Sequence, residues 1–279
     1  MYSHNGTEYD EVLSDLPFIV SGLGTKNLDP YNLIEAIRFT DWDRSKDKPQ
    51  ISLESGITTN NIGATWISFE KVDFGKDGGD SIHIPIFTWR TELPVEIYEG
   101  NGIDGECLGK FLYQHESIYN VYSENVFNLS RRLFGVHEIT IYIKEGVDFH
   151  GFYFDKTPKA FAKLRALDAT LIAGDSFNKT DEAVEGIGNN VILDFTDMNF
   201  GDKAATKLTI CGRSNTENNT INIKFFDSNG TSSTQIIEFA YTDDYEEKTF
   251  DLKEITGEKK VDFVFLPGCN FDFKWFKFE

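Results

Sequence analysis

The chain has two similar segments rich in phenylalanine, one at its C-terminus and one near its middle. Residues 268–279 read GCNFDFKWFKFE, and residues 146–156 read GVDFHGFYFDK. Upstream of both, matching segments follow in the same order: WISFEKVDFG matches ILDFTDMNFG, and IPIFTWR matches LTICGRS, at an offset near 124 to 126 residues. An offset that persists over several segments predicts that one structural unit occurs twice.

Apolar and polar residues alternate within each copy, as in VEIYE, ITIYIK, INIKFF and FDFKWFKF. A period of two is typical of β-strands that bury one face. Turn signals such as GKDGGD, EGNGIDG and DSNG separate these segments at short intervals. The predicted fold class is therefore all-β, with an internal repeat that forms two tandem jelly-roll β-sandwiches.

The repeat divides the chain into three parts. Residues 33–156 are predicted to form the first sandwich and residues 157–279 the second, with the join near Pro158 in DKTPKAFAKLRA. Residues 1–32 have no counterpart in the second copy and are predicted to be an N-terminal strap or linker. The total of 279 residues allows each sandwich its own buried core.

The charge of the chain limits its partners. A formal net charge of -19 makes nucleic-acid binding unfavourable, because such affinity depends mainly on cationic side chains. There is no apolar run of about 18 residues that would span a membrane, and the N-terminus lacks the pattern of a signal peptide. We therefore expect no nucleic-acid or membrane partner and predict no compartment. We also expect a fragment of a larger bacterial enzyme.

The sequence contains no pattern that indicates an enzyme. The motifs GxSxG, HExxH and the Walker sequence are absent. The three cysteines, Cys107, Cys211 and Cys269, lack CxxC spacing, which argues against a zinc site or a disulfide framework. We therefore expect a non-catalytic protein with no required cofactor.

Both copies resemble family 6 carbohydrate-binding modules. In the first copy, the segments LIEAIRF, TWISFEKVDFG, VEIYEG, YNVY, FGVHEITIYI and FHGFYF follow the order of that family's landmarks. In the second, VEGIGNNVILDFTDMNFG, KLTICGRS and FVFLPGCNFDFKWFKF look similar to the paired sandwiches that follow the catalytic domain in bacterial family 2 glycoside hydrolases of the β-galactosidase type. The resemblance covers residues 33–279. It implies galactose-binding-like jelly rolls that bind an oligo- or polysaccharide beside the catalytic domain of a parent enzyme.

The resemblance also implies a loop site in which two aromatic rings hold a sugar and an asparagine binds its hydroxyls. In the first copy it places Tyr119 and Tyr122 at the ends of the ring-bearing loop, and His150 near the position of the asparagine. In the second copy Tyr245 takes the first ring position, and Lys274 lies near the asparagine position.

Other candidate sugar contacts come from strand ends and loops. Trp89 lies at a strand end and aligns with Arg213 of the second copy, so a ring in one copy corresponds to a guanidinium in the other. The polar residues Asn61, Asn189 and Asn190 lie on predicted loops at the mouths of the sandwiches. The predicted ligand is a neutral glycan, because aromatic faces suit the apolar C–H faces of pyranose rings.

A second hypothesis stays open. The position of the second aromatic ring is held by Asn60 in the first copy and by Gly186 in the second. The chain could therefore be a structural tail that packs on the catalytic domain or mediates oligomerisation without binding sugar. The binding hypothesis needs exposed rings, whereas the structural hypothesis predicts broad apolar patches.

A structural calcium ion is a further implication of the resemblance. In the first copy Ile37 replaces a glutamate that helps to hold calcium in the family. In the second copy Asp168 and Asp272 are the candidate ligands, because calcium prefers carboxylate and carbonyl oxygens.

Overall fold

The computed structural model describes residues 2–4, 9–11, 26–52, 56–116, 118 and 121–279, the first two ranges by backbone alone. Regular structure in these residues is almost entirely β, as predicted, with three short 3₁₀ helices at Ala36–Arg38, Lys159–Phe161 and Ala166–Asp168. The first half holds β1 (Tyr2–His4), β2 (Tyr9–Glu11), β3 (Ile34–Glu35), β4 (Asp41–Trp42), β5 (Gln50–Ser52), β6 (Gly56–Thr58), β7 (Thr65–Asp73), β8 (Gly79–Phe87), β9 (Glu92–Glu99), β10 (Glu106–Gln114), β11 (Ser123–Leu133), β12 (Val136–Ile143), β13 (Asp148–Phe149) and β14 (Gly151–Phe154). The second half holds β15 (Leu164–Arg165), β16 (Leu171–Ala173), β17 (Asn178–Lys179), β18 (Val184–Ile187), β19 (Val191–Asn199), β20 (Ala205–Ser214), β21 (Asn218–Phe226), β22 (Ser232–Ala240), β23 (Glu246–Ile255), β24 (Glu258–Phe265) and β25 (Phe271–Phe278).

The first sandwich packs two antiparallel sheets over one core. One sheet has the strand order β10-β9-β12-β7-β4. The other has the order β3-β14-β8-β13-β6-β5, and β11 also pairs with β8. Edge-to-face phenylalanines fill the space between them: Phe69 lies 4.9 Å from Phe152, and Phe74 lies 4.8 Å from Phe154. The GFYF segment therefore closes this core.

The second sandwich repeats this arrangement. Its sheets have the orders β16-β19-β24-β21-β22 and β17-β18-β25-β20-β23, and β15 also pairs with β25. In the closing strand β25, Phe271, Phe273, Phe276 and Phe278 are buried in the core. Trp275 is partly exposed on the opposite face. The alternation predicted for the final segment is present, with Phe276 rather than Trp275 in the core.

The two halves also share their backbone irregularities. Lys71 and Asp197, 126 residues apart, both have a φ of 58° and lie in bulged parts of equivalent strands. A second irregularity lies at His150, between β13 and β14, where the register of their pairing with β8 shifts. The corresponding shift in the pairing of β25 with β20 falls at Lys274. Bulges re-aim side chains locally. The same positions are therefore re-aimed in both halves.

Part of the predicted N-terminal strap contacts the first sandwich. Leu28 is buried, and its backbone N–H donates to the carbonyl of Lys71 at 2.7 Å. The Tyr31 hydroxyl donates to the carbonyls of Phe74 and Gly78 at 2.7 and 2.9 Å. Burial raises the pKa of Tyr31 to about 12. The backbone of β1 pairs with that of β2. None of the helices in the described residues is long and apolar enough to span a bilayer.

The segment between the sandwiches is bonded to both of them. The Lys159 ammonium donates to the carbonyl of Thr196 in β19 at 2.8 Å, and its backbone N–H donates to Asp77 in the β7–β8 loop at 3.2 Å. Burial lowers the pKa of Lys159 despite the nearby carboxylates. A direct ion pair of 2.6 Å joins Lys76 and Asp197. These contacts hold the second sandwich against the β7–β8 loop of the first.

Candidate functional site

Four aromatic side chains meet at one end of the first sandwich and are called here the loop-end cluster: Phe87, Trp89, Tyr122 and His150. The Phe87 ring lies 5.4 Å from Trp89 and 6.2 Å from Tyr122, and Tyr122 lies 5.4 Å from His150. Phe87 is the last residue of β8, so it carries the chain from the core to the loop that presents Trp89. The structure thus brings together three of the predicted site residues.

Neighbouring loops are tied to this end by hydrogen bonds. The backbone N–H of Thr59 donates to the carbonyl of Val147 at 2.8 Å. The Asn60 amide donates to Asp148 at 3.0 Å, which fixes the β6–β7 loop against β13. Asn61 is the next residue and is exposed. The loop that carries Asn61 is therefore held at the same end of the sandwich as His150.

The loop-end cluster has an exposed apolar face and polar groups with free hydrogen-bonding capacity. Trp89 is 65% exposed. Within the described part of the chain, no hydrogen bond engages the imidazole of His150 or the amide of Asn61. An indole face can stack on the C–H face of a pyranose, while an amide and an imidazole can bind hydroxyls. The predicted ring of Tyr119 lies outside the described residues.

In the second sandwich, the predicted residues Arg213 and Tyr245 belong to a network of hydrogen bonds and an ion pair around the buried Asp272. Asp272 is only 2% exposed, and it accepts hydrogen bonds from Arg213 Nε and from the backbone N–H of Gly186, both at 2.7 Å. The Arg213 guanidinium lies 5.4 Å from the centre of the Tyr245 ring. The Tyr245 hydroxyl donates to Glu185 at 2.9 Å, and burial together with this bond raises its pKa. These side chains therefore already have hydrogen-bond partners within the second sandwich.

The strand register corrects the predicted alignment of Trp89 with Arg213. Arg213 pairs with Asp272 across β20 and β25, whereas the equivalent pair in the first sandwich is Phe87 with Asp148. The counterpart of Arg213 is therefore Phe87, two residues before Trp89. Sequence comparison missed Phe87 as part of the site because its offset is fixed by its cross-strand pairing with Asp148, which a sequence does not display.

Asn189 and Asn190, which were predicted to contact sugar from loops at the mouth of the second sandwich, form hydrogen bonds that stabilise those loops. The Asn189 side-chain oxygen accepts a hydrogen bond from the backbone N–H of Gly268 at 3.1 Å, which joins the β18–β19 and β24–β25 loops. The Asn190 amide donates to Asp175 at 3.0 Å, and Asn190 itself has a φ of 53°. Both residues are exposed, but each already has a bond within the chain.

The residues proposed for calcium do not fit a calcium site in this arrangement. Asp168 accepts hydrogen bonds from the backbone and the guanidinium of Arg165 at 2.8–3.1 Å. Asp272 is bonded to Arg213 in a similar way. A guanidinium beside each carboxylate supplies the positive charge that the ion would bring. Over the described ranges, no three His, Cys, Asp or Glu side chains form a metal-binding group.

His83 lies between two carboxylates on the outer face of the first sandwich. Its ring nitrogens lie 2.8 Å from Glu124 and 3.0 Å from Asp155, and Tyr153 stacks on the ring at 4.4 Å. Burial disfavours the charged ring, but the hydrogen bonds to Glu124 and Asp155 outweigh it and raise the pKa of His83 above its ordinary value of 6.5. The protonated ring is therefore the stabilising form.

We expect the stabilisation from His83 to decrease with rising pH. A raised pKa in the folded state gives stability that is complete below about pH 6.5 and is lost as the pH rises through the folded pKa. Relative to His83→Gln, the wild type should be more stable by about 1–2 kcal/mol at pH 6 and by less at pH 8.5. Urea unfolding of both proteins across this range measures the difference. A difference that stays constant with pH would contradict the assignment.

Parts of the chain are similar to solved carbohydrate-binding modules and to one protein-family model. No curated protein sequence matches the chain significantly. CsCBM6-3 from Clostridium stercorarium, solved with cellobiose, is 23% identical, with 43% of this chain and 94% of that chain covered and a TM-score of 0.38. A family 6 carbohydrate-binding module from Clostridium cellulolyticum, solved with xylose, is 23% identical over 43% of this chain and 98% of that one, with a TM-score of 0.38.

A longer match is to a glycoside hydrolase family 43 arabinoxylan arabinofuranohydrolase from Bacillus subtilis. It is 14% identical, with 77% of this chain and 52% of that chain covered and a TM-score of 0.36. A protein-family model matches only within the second half of this chain. Residues 169–279 match Carbohydrate binding module (family 6), which relates this part of the chain to that family of non-catalytic binding modules.

Proposed function

We propose that the chain is a pair of family 6-like modules, in residues 33–156 and 157–279, that binds a neutral glycan without catalysis. The observation that carries the proposal is the exposed Trp89 ring in the loop-end cluster, at the end of the sandwich where His150 and Asn61 have polar groups unbonded within the described chain. The family match of residues 169–279 supports the class of function. The parent protein is proposed to be a glycoside hydrolase of the β-galactosidase type, with its catalytic domain as partner.

Binding would combine one stacking contact with a few directed hydrogen bonds. The sugar ring would lie on the Trp89 indole, with its hydroxyls bonded to His150 and Asn61. Tyr122 would extend the aromatic surface, and Tyr119 stays a contact predicted from the sequence. A single open site of this kind gives an affinity in the micromolar to millimolar range, or about 4–8 kcal/mol.

A structural role is the second candidate, and one surface favours it. On the outer face of the sheet β16-β19-β24-β21-β22, the register aligns Ile192, Val264, Asn222 and Ile236 in one row. Ile192 and Ile236 are exposed. Such a row can pack against a catalytic domain or a second copy. Light scattering that shows a dimer, together with no glycan binding, would favour this role.

Affinity electrophoresis in gels that contain galactan, xylan or β-glucan tests the proposal. We expect wild-type protein to be retarded by at least one polymer and Trp89→Ala to lose most of this retardation, with affinity reduced at least tenfold, which corresponds to about 1.4 kcal/mol. Ile236→Ala is the matched control, because Ile236 is 63% exposed and lies on the other sandwich. The control should migrate like the wild type.

Two outcomes of this experiment would oppose the proposal. If no neutral polymer retards the wild type, the structural role becomes the better account. If Trp89→Ala and wild type are retarded equally, glycan binding occurs elsewhere than the loop-end cluster. Circular dichroism spectra of the variants should match that of the wild type, because both replaced side chains are exposed.

A further inference from the structure

A groove runs between the two sandwiches, and its lining carries charged side chains, unlike the neutral loop-end cluster. Its volume is about 720 Å³, which is within the range of small-ligand sites. This inter-sandwich groove is lined on the first sandwich by Asn128, Ser130 and Arg131, and on the second by Lys163, Lys274 and Trp275.

Trp275 gives the groove an aromatic surface. It follows the bulge at Lys274 in β25, and its ring is partly exposed while the flanking Phe276 is buried. The Lys163 ammonium lies 3.8 Å from the centre of the Trp275 ring. An exposed cation–π contact is weak, so a sugar ring could take this face of the indole while Lys163 turns toward a ligand.

Lys163 differs from the other cations of the groove in its pairing. Four of the five lining cations have a carboxylate partner within the chain: Arg131 with Glu106, Arg132 with Asp80, Arg165 with Asp168, and Lys274 with Glu182. Lys163 is exposed and has no such partner in the part of the chain that is described. The groove lining also carries four carboxylates, Asp80, Glu106, Asp181 and Glu182, so its cations exceed its acids by one, whereas the whole chain has a net charge of -19. The groove therefore offers a cationic contact for a ligand carboxylate at Lys163.

From this arrangement we infer that the inter-sandwich groove binds a short acidic glycan that carries a carboxylate. Its ring stacks on Trp275, and its carboxylate pairs with Lys163. The exposed side chains of Asn128 and Ser130, without hydrogen bonds in the described chain, bind its hydroxyls. The inference adds a second site, with a different class of sugar, to the neutral site proposed at the loop-end cluster. Long polyanions are disfavoured by the acidic remainder of the surface.

Calorimetric titration with digalacturonic acid and with its dimethyl ester tests the inference. The ester keeps the linkage and removes the charge. At low salt, wild-type protein should bind the acid at least fivefold more tightly than the ester, and this preference should shrink with added salt. Lys163→Gln should bind both alike. The Lys163 side chain is exposed, so the variant is expected to fold.

Two further variants make the result specific. Lys48→Gln is the matched control, because Lys48 is also exposed and its ammonium lies 5.3 Å from the centre of the Trp42 ring, outside the groove. It should keep the preference for the acid, and so should Trp89→Ala. Equal binding of acid and ester by the wild type would overturn the inference. An unchanged preference for the acid in Lys163→Gln would also overturn the inference. Loss of the preference in Trp89→Ala would overturn it too, and would assign binding of the acid to the loop-end cluster.

Discussion

Phe276→Ala is expected to lower the free energy of unfolding of the second sandwich by about 3–5 kcal/mol. Phe276 is completely buried, and its ring lies 4.7 Å from Phe195 and 4.7 Å from Phe263. Phe195 and Phe263 belong to the opposite sheet, so the Phe276 ring joins the two layers of the sandwich. Alanine would leave a cavity that close-packed β-sheets can only partly close. Urea unfolding followed by circular dichroism measures the change.

Lys277→Ala is the control for this prediction. Lys277 is the next residue of β25, and its ammonium bonds Glu279 at 2.9 Å on the solvent side. We expect a change within about 0.5 kcal/mol. A loss below about 1 kcal/mol for Phe276→Ala would mean that the aromatic ending does not close the core, and would contradict the account of the repeated phenylalanine segments.

Arg132→Ala is expected to destabilise the first sandwich by about 3–5 kcal/mol. Arg132 is only 3% exposed. Its guanidinium donates to Asp80 at 2.5 Å and to the carbonyls of Asp77, Gly78 and Thr157 at 2.6–2.8 Å. Removal would leave Asp80 and the carbonyls of Asp77 and Thr157 without this donor, whereas the carbonyl of Gly78 keeps its bond from the Tyr31 hydroxyl. Burial raises the pKa of Asp80, and loss of the opposing Arg132 charge should raise it further.

Arg44→Ala is the control for the loss of a single ion pair. The Arg44 side chain is 62% exposed and pairs with Asp41 at 2.6 Å, so its replacement should cost less than about 1 kcal/mol. Because Thr157 belongs to the segment between the sandwiches, Arg132→Ala should also make that segment more sensitive to limited proteolysis. Equal stability of the Arg132→Ala and Arg44→Ala proteins would contradict the structural role of Arg132.

The fold was predictable because its signals are local. A period of two in FDFKWFKF follows directly from the alternation of side chains across a strand. The persistent offset between matching segments then predicts that the same unit occurs a second time. The sequence did not decide which of Trp275 and Phe276 enters the core, because that choice depends on the bulge at Lys274. Bulges are set by cross-strand pairing, which a single segment does not display.

The candidate site was less predictable because its residues come from distant segments. Trp89, Tyr122 and His150 were identified as separate candidates, and Phe87, which joins Trp89 to Tyr122, was not. Asp272 was expected to be a candidate ligand for calcium. It is instead buried, because Arg213 pairs with it across the strands. Such pairing depends on register rather than on the spacing of residues along the chain.

The groove between the sandwiches was not predicted at all. It depends on the relative placement of the two halves, which follows from contacts such as that between Lys159 and Thr196. Lys159 lies in the predicted join, where the sequence indicated only an interruption by Pro158. A lysine buried in a linker has no signature in a single sequence, because its acceptor is a backbone carbonyl.

The four indole N–H signals in a ¹H–¹⁵N spectrum give the most direct test of glycan binding at the loop-end cluster. The chain has four tryptophans, so Trp42, Trp66, Trp89 and Trp275 can each be assigned by single replacement. On titration with oligosaccharides of the neutral polymer that retards the protein, the account predicts that the Trp89 signal shifts with saturation while those of Trp42 and Trp66 stay in place. An unshifted Trp89 signal at saturating sugar would contradict it.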